Sequence, residues 1–246
     1  MKAAVIGSGK SGAAIEHALR ERGVDARQFS PSTGFDAMRS DVATALAGMD
    51  IVIEAQGRFT THRAVAFDFF IKTTAPVAGA MRRLGRPRHL IVSTLSCDDP
   101  DLVNYGYFAG KAMQERVARS FDRTATIVRT AEWFEYAEQN IQRLAAGPLV
   151  AVPMMKIRPM ALSSAASAIA TAALDDCTRG RILNYAGPEV MTLRQMTTPV
   201  LPPGKVAVPI PIPGQAGKAL RAGAAYRGRD ITIAGPTFGD WLAHRA

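Results

Sequence analysis

The chain has 246 residues, 48% of them hydrophobic and 21% charged, with a formal net charge of +9 and two cysteines. So large an apolar share excludes a disordered chain. Cys97 and Cys177 alone exclude a disulfide scaffold or a cysteine metal site and fit a reducing compartment. The arginines are scattered, with small clusters only at Arg82-Arg83 and Arg86-Arg88, so the basic balance reads as a solvated surface and predicts no nucleic-acid partner.

The length suits one large α/β domain, or a core with a small lobe. Glycine breaks the first apolar run within a few residues, which is not the pattern of a signal peptide. The small-apolar run over residues 165–174 is too short and polar to span a bilayer. No membrane contact and a cytoplasmic location are therefore expected.

Residues 3–6 (AAVI), closed at once by Gly7, predict a buried parallel strand. The turn behind it carries Gly7, Gly9 and Gly12 in the spacing G-x-G-x-x-G, with Ser8, Lys10 and Ser11 between them. Residues 13–22 then read as a helix stopped by Gly23. Strand, glycine turn and helix together are the phosphate-binding start of a dinucleotide fold. Gly7 permits the tight turn, Gly9 lets the backbone approach a pyrophosphate, and Gly12 lets the helix pack close on the strand. Amides at the helix start, helped by the helix dipole, point at the phosphates. Lys10 is either a cation beside them or a solvated loop lysine.

Residues 24–29 are the second strand. It ends at Phe29-Ser30-Pro31, without the acid that bonds the ribose hydroxyls in many NAD-binding folds, so NADP is expected ahead of NAD, with Ser30 in the cofactor site. Residues 37–39 predict a weak third strand, and residues 43–47 a short helix closed by Gly48. Residues 51–55 (IVIEA) are the fourth strand, and its end at Ala55-Gln56-Gly57 should face the ligand crevice. A long helix over 64–84, bent near Pro76, a fifth strand over 89–94, a helix over 105–119 and a sixth strand over 126–129 complete the pattern. Such alternation demands a doubly wound parallel sheet.

Tyr107 and Lys111 are four apart on one predicted helix and so share a face. A free tyrosine ionises near pH 10, and an ammonium beside it lowers that value. Lys111 is therefore expected to tune Tyr107 while holding ribose hydroxyls. Thr94 ends the fifth strand, where a hydroxyl reaches a substrate oxygen.

These residues resemble a known family. Gly7-x-Gly9-x-x-Gly12, Thr94 and Tyr107-Phe-Ala-Gly-Lys111 look like the atypical short-chain dehydrogenase/reductases, in the NmrA-like NAD(P)-binding branch. The likeness continues through Thr126-Ile-Val-Arg129, Trp133-Phe134-Glu135, Ala186-Gly187-Pro188-Glu189 and Thr237-Phe-Gly-Asp-Trp241. It implies Tyr107 as general acid, Lys111 on the nicotinamide ribose, Thr94 polarising the carbonyl, and Asp41 and Val42 at the adenine. Departures are Ser8-Gly9 in the glycine loop, Pro31 after the second strand, Ser164-Ala165-Ala166 at a later helix start, and three hydroxyls, Ser93, Thr94 and Ser96, competing for one role.

Beyond Arg129 a helix over 132–145 carries Trp133, Phe134 and Tyr136. Trp133, Phe134 and Ser96 are the candidate substrate pocket. Short strands over 150–153 and 182–185, a helix over 163–174, a proline-rich extended stretch over 202–213 and helices over 215–224 and 237–243 follow. The division expected is a Rossmann core over 1–146 and a C-terminal substrate lobe over 147–246, with 182–187 returning to the main sheet. The leading functional reading is an NAD(P)-dependent oxidoreductase, monomer or homodimer, passing hydride from NADPH to a small carbonyl, quinone or enone, with no metal. The alternatives are a catalytically silent nucleotide sensor that binds a partner protein and, third, an epimerase.

Overall fold

The computed structural model describes residues 1–228 and 230–244. Strand β1 (Lys2–Ile6) is buried over residues 3–6. Side chains alternate along it, so Ala3 and Val5 enter one core while Ala4 and Ile6 enter another. Helix α1 (Lys10–Arg20) starts inside the glycine loop, so Lys10 and Ser11 form its first turn. Gly23, at φ 77°, lies in the left-handed region beyond its end. Strand β2 (Asp25–Phe29) pairs with β1.

No strand forms over 37–39. The Asp36 carboxylate accepts from the Met38 amide, Ser40 Oγ accepts from the Asp36 amide, and the segment closes into turns. These local bonds replace a sheet ladder, while Phe35 and Ala37 still reach the core. There follow α2 (Val42–Ala45), β3 (Ile51–Glu54), α3 (Arg63–Arg83), β4 (Arg88–Thr94), α4 (Gly106–Phe121) and β5 (Thr126–Thr130). Pro76 lies inside α3.

Helix α5 (Tyr136–Leu144) starts four residues later than the sequence suggests. Trp133 bridges to Met160, and the Phe134 amide donates to the Met160 carbonyl. That pairing keeps residues 132–135 out of the helix. The rest comprises β6 (Ala145–Ala146), β7 (Leu149–Pro153), β8 (Lys156–Ile157), α6 (Leu162–Leu174), β9 (Ile182–Ala186), β10 (Met191–Thr192), α7 (Leu193–Thr197), β11 (Val206–Ile210), α8 (Gly214–Arg221), β12 (Ile231–Ile233) and α9 (Phe238–Ala243). The sequence reading contained no counterpart of β12.

The main sheet is parallel throughout, in the order β12-β9-β5-β4-β3-β1-β2. Helices α1 and α6 cover one face through Ile15, Leu19, Ile169 and Ala173. On the other face lie α3, through Val77 and Met81, and α4, through Ala118. This is the doubly wound Rossmann arrangement, and its chain order reverses between β1 and β3, where such folds take their ligands. A smaller sheet, β11-β7-β6, packs with α5, α7, α8 and α9 around Phe134, Val150, Leu193 and Phe238. Pro209 sits in β11 at the edge of that sheet, where a missing amide is tolerated.

A buried ion pair fixes the β5 tip. Arg129 donates to both oxygens of Glu115 on α4, at 2.8 and 2.7 Å, and Cys97 Sγ donates to the same carboxylate at 3.1 Å. Removing one partner of such a pair strands the other charge. Glu115→Ala is therefore expected to lower the unfolding free energy by about 3–5 kcal/mol, measured by urea denaturation. A loss below about 1 kcal/mol would show that Asp98, 3.0 Å from Arg129, holds the guanidinium alone.

Candidate functional site

The ends of β1, β3, β4 and β5 converge on a cavity of about 630 Å³, a usual size for a ligand site. Gly7, Ser8, Gly9, Lys10 and Ser11 line one side. Their glycines have separable reasons. Gly7, at φ 127°, makes the turn. A Cβ on Gly12 would lie 2.0 Å from the Gly7 carbonyl oxygen, so Gly12 is required by helix-on-strand contact and does not line the cavity.

Gly9 differs from both. Its backbone is extended, at φ −74° and ψ 179°, a conformation open to any residue. A Cβ there would meet nothing within 4 Å. Neither strain nor packing within the chain calls for glycine, whereas a ligand pressed against the backbone does. No side chain caps α1, so its first amides are left for an anion. These residues fit a dinucleotide pyrophosphate. Lys10 reaches across the mouth to Glu138 of α5, at 3.3 Å.

Ala55, Gln56 and Gly57 line the floor beyond β3. Beneath them Glu54 is fully buried. Thr74 Oγ1 donates to it at 2.7 Å, Gln56 Nε2 at 2.9 Å and Gln114 Nε2 at 3.4 Å, and His89 Nε2 bonds its other oxygen at 2.9 Å. Lys111 joins this network. Its Nζ donates to the Val92 carbonyl at 2.8 Å, to Gln114 Oε1 at 3.0 Å and to the Gln56 carbonyl at 3.2 Å. All three ammonium protons are thus engaged within the chain. Burial lowers the Lys111 pKa to about 8, with Glu54 opposing that shift.

Tyr107 lines the cavity with Lys111, as their spacing on one helix face predicts. Its phenol does not ionise more easily, as expected, but less. Burial pushes its pKa up, the nearby Glu132 carboxylate pushes it further, and the inward-turned Lys111 gives no relief. Thr94 and Ser93 also line the cavity. Ser96 does not. At φ 57° it turns aside and its hydroxyl donates to the Arg227 carbonyl.

Trp133 is in the wall, its indole donating to Thr130 Oγ1 at 3.1 Å. Phe134 instead belongs to the core, with its ring 5.1 Å from Phe238 and 5.2 Å from Trp241. Ser30, Asp41 and Val42 are not among the lining residues. Ser30 and Ser32 share a 2.8 Å hydroxyl bond, the Asp41 carboxylate caps α2 through Thr44, and Val42 is core.

Sequence reasoning missed Glu132. It follows β5 directly and lines the cavity, and its Oε2 is buried with no hydrogen-bond partner among the described residues. Burial raises its pKa to about 7. An acid at the ligand-facing end of a parallel strand was the available signal. Phe59, Tyr105, Phe108 and Tyr136 complete an aromatic wall. Among the described residues no cluster of three His, Cys, Asp or Glu side chains is placed to hold a metal. No described helix is long and apolar enough to cross a membrane.

No protein-family model matches the chain, and no curated protein matches it. Solved structures do. A short-chain dehydrogenase/reductase superfamily protein from Agrobacterium tumefaciens, with bound NAD, superposes with a TM-score of 0.70 at 15% identity, over 99% of this chain and 95% of that one. An NADPH-dependent quinone oxidoreductase from Escherichia coli, complexed with NADPH, gives 0.70 at 15% identity, over 99% of each chain. A structure from the pinoresinol-lariciresinol and phenylcoumaran benzylic ether reductases gives 0.70 at 13% identity over the full length of both. The chain therefore has the fold of the short-chain dehydrogenase/reductase structures.

The two glycines give a paired expectation. Gly9→Val should leave thermal unfolding within a few degrees of wild type while weakening nucleotide binding at least tenfold by calorimetry. Gly12→Ala should destabilise the fold itself, because its Cβ meets backbone. Unchanged nucleotide affinity in Gly9→Val would leave the turn with a structural role alone.

Proposed function

We propose that the protein is an NAD(P)-dependent oxidoreductase that passes hydride between NADPH and a small carbonyl, quinone or enone. The observation that carries this reading is Gly9, a glycine that nothing in the chain requires, set at the mouth of an aromatic cavity. The bound NAD and NADPH of the two superposed bacterial structures agree with it.

The bound nicotinamide would supply hydride; the chain supplies the rest. The amides of the glycine turn hold the pyrophosphate. The Ala55-Gln56-Gly57 backbone flanks the cofactor, and Lys111 fixes that backbone through the Gln56 carbonyl. Lys111 then acts chiefly as a positioning residue, in place of a direct ribose ligand. Thr94 and Tyr107 donate hydrogen bonds to the substrate oxygen. Phe59, Tyr105, Trp133 and Tyr136 exclude water and suit a flat, apolar substrate. The neutral end of β2, with Ser30, Ser32 and Thr33 in a hydroxyl-rich turn, favours a 2′-phosphate over the bare ribose that an acid would bind.

A nucleotide sensor remains a second reading, and one observation favours it: Lys111 neither lowers the Tyr107 pKa nor has a free proton for a ribose. Calorimetry with NADPH and NADH, then NADPH oxidation with a panel of quinones, aldehydes and enones, separates the two. The expected result is tighter binding of NADPH and turnover with at least one member of the panel. Binding without turnover across the panel would support the sensor, and tighter NADH binding would remove the assignment of NADP.

A further inference from the structure

We propose that Glu132, rather than Tyr107, is the group that gives up the proton to the substrate oxygen. The inference rests on the oxidoreductase reading and extends it. Its footing is geometric. Glu132 stands at the β5 tip, in the cavity wall, with its backbone pinned where the Met160 amide donates to its carbonyl at 3.0 Å. Its Oε2 is buried and has no partner among the described residues. A buried carboxyl oxygen without a hydrogen bond is costly, and in a cleft such a group is a candidate for chemistry.

The surroundings explain why this acid keeps its proton. Tyr107 from α4 and Tyr136 from α5 both feel its charge, and neither phenol is a cation. Arg143 bears on the two phenols, yet its guanidinium lies 5.5 Å from the Phe59 ring centre and donates to Gln139. Lys10 is tied to Glu138, and Lys111 spends its protons on the floor. Tyr105 bears on Tyr136, and Cys97 bears on Tyr107. With no compensating cation among the described residues, burial, opposed by the hydrogen bond of its own backbone amide, holds the carboxyl near a pKa of about 7. That value suits an acid working at neutral pH. Tyr107, whose pKa burial and Glu132 also push up, stays protonated and serves as a hydrogen-bond donor.

The step balances. The electrophilic carbon of the carbonyl, or the far carbon of an enone, forms a C–H bond with hydride from the reduced nicotinamide. The π pair moves to oxygen, which forms an O–H bond as the Glu132 carboxyl O–H bond breaks. The carboxylate regains its proton from solvent at the mouth.

The test compares wild type, Glu132→Gln, Glu132→Asp and Tyr107→Phe, using NADPH and a quinone or enone that the wild type reduces. In wild type, kcat/KM should be level below about pH 7 and fall by about tenfold per pH unit above it. Glu132→Gln should lower it about 10²–10⁴-fold at pH 6 and abolish that limb, with NADPH affinity unchanged. Glu132→Asp should restore part of the rate and a limb. Tyr107→Phe should lose about 10²-fold and keep the limb.

Thermal unfolding gives a readout without turnover. The Glu132 pKa is raised on folding, so wild type loses stability as pH rises from 4.5 to about 7. The melting point of Glu132→Gln relative to wild type should therefore climb across that window and level off above it. A limb that persists in Glu132→Gln, including one placed near the Lys111 value, would overturn the proposal and leave the oxidoreductase reading standing. So would a limb lost in Tyr107→Phe alone. Failure of the wild type to bind nucleotide or reduce any substrate would sink the reading itself, and the proposal with it.

Discussion

A buried carboxylate sets the terms for the rest of this structure. Glu54 ends β3 at full burial, and a charge withdrawn from water must be met by donors. Thr74 from α3, His89 from β4, Gln114 from α4 and Gln56 from the following loop converge on it. Four elements are thereby held in register beneath the cavity floor. Lys111 is drawn into the same network, through Gln114 and two backbone carbonyls. The one gap in the network is His89 Nδ1, buried without a hydrogen-bond partner among the described residues.

That arrangement redistributes the chemistry above it. A lysine whose protons are spent downward cannot assist the tyrosine one turn before it. The phenol of Tyr107 consequently answers to burial and to Glu132. In the proposed reaction proton donation passes to the acid at the β5 tip, whose backbone carbonyl accepts from the Met160 amide. The floor therefore fixes the Gln56 backbone, while the aromatic wall and Glu132 line the cavity above it.

Much of the fold was legible because it rests on local pattern. The apolar run of β1, the glycine spacing and the alternation of strand and helix each report a short-range constraint, and the parallel sheet follows from them. Where the reading went astray, a local side-chain bond or a partner distant in sequence decided. Residues 37–39 have strand-like composition, but Asp36 and Ser40 close them into turns. Met160 takes the backbone of residues 132–134 and delays α5. In the site, the spacing of Tyr107 and Lys111 correctly put both on the cavity wall, but spacing does not reveal where an ammonium points. Glu54, Gln114 and Val92, which decide that, lie on other strands or face inward. Ser96 and Phe134 were plausible by type, and were taken by the Arg227 carbonyl and by the aromatic cluster of α9.

A crystal structure with bound NADP⁺ tests the central claim most directly, that a dinucleotide spans the cavity from the glycine turn to the β5 tip. The account predicts the pyrophosphate against the Gly9 backbone, at the start of α1, with the nicotinamide C4 facing the space between Tyr107 and Glu132. A nucleotide seated elsewhere, or one whose nicotinamide end stays clear of that space, would contradict it.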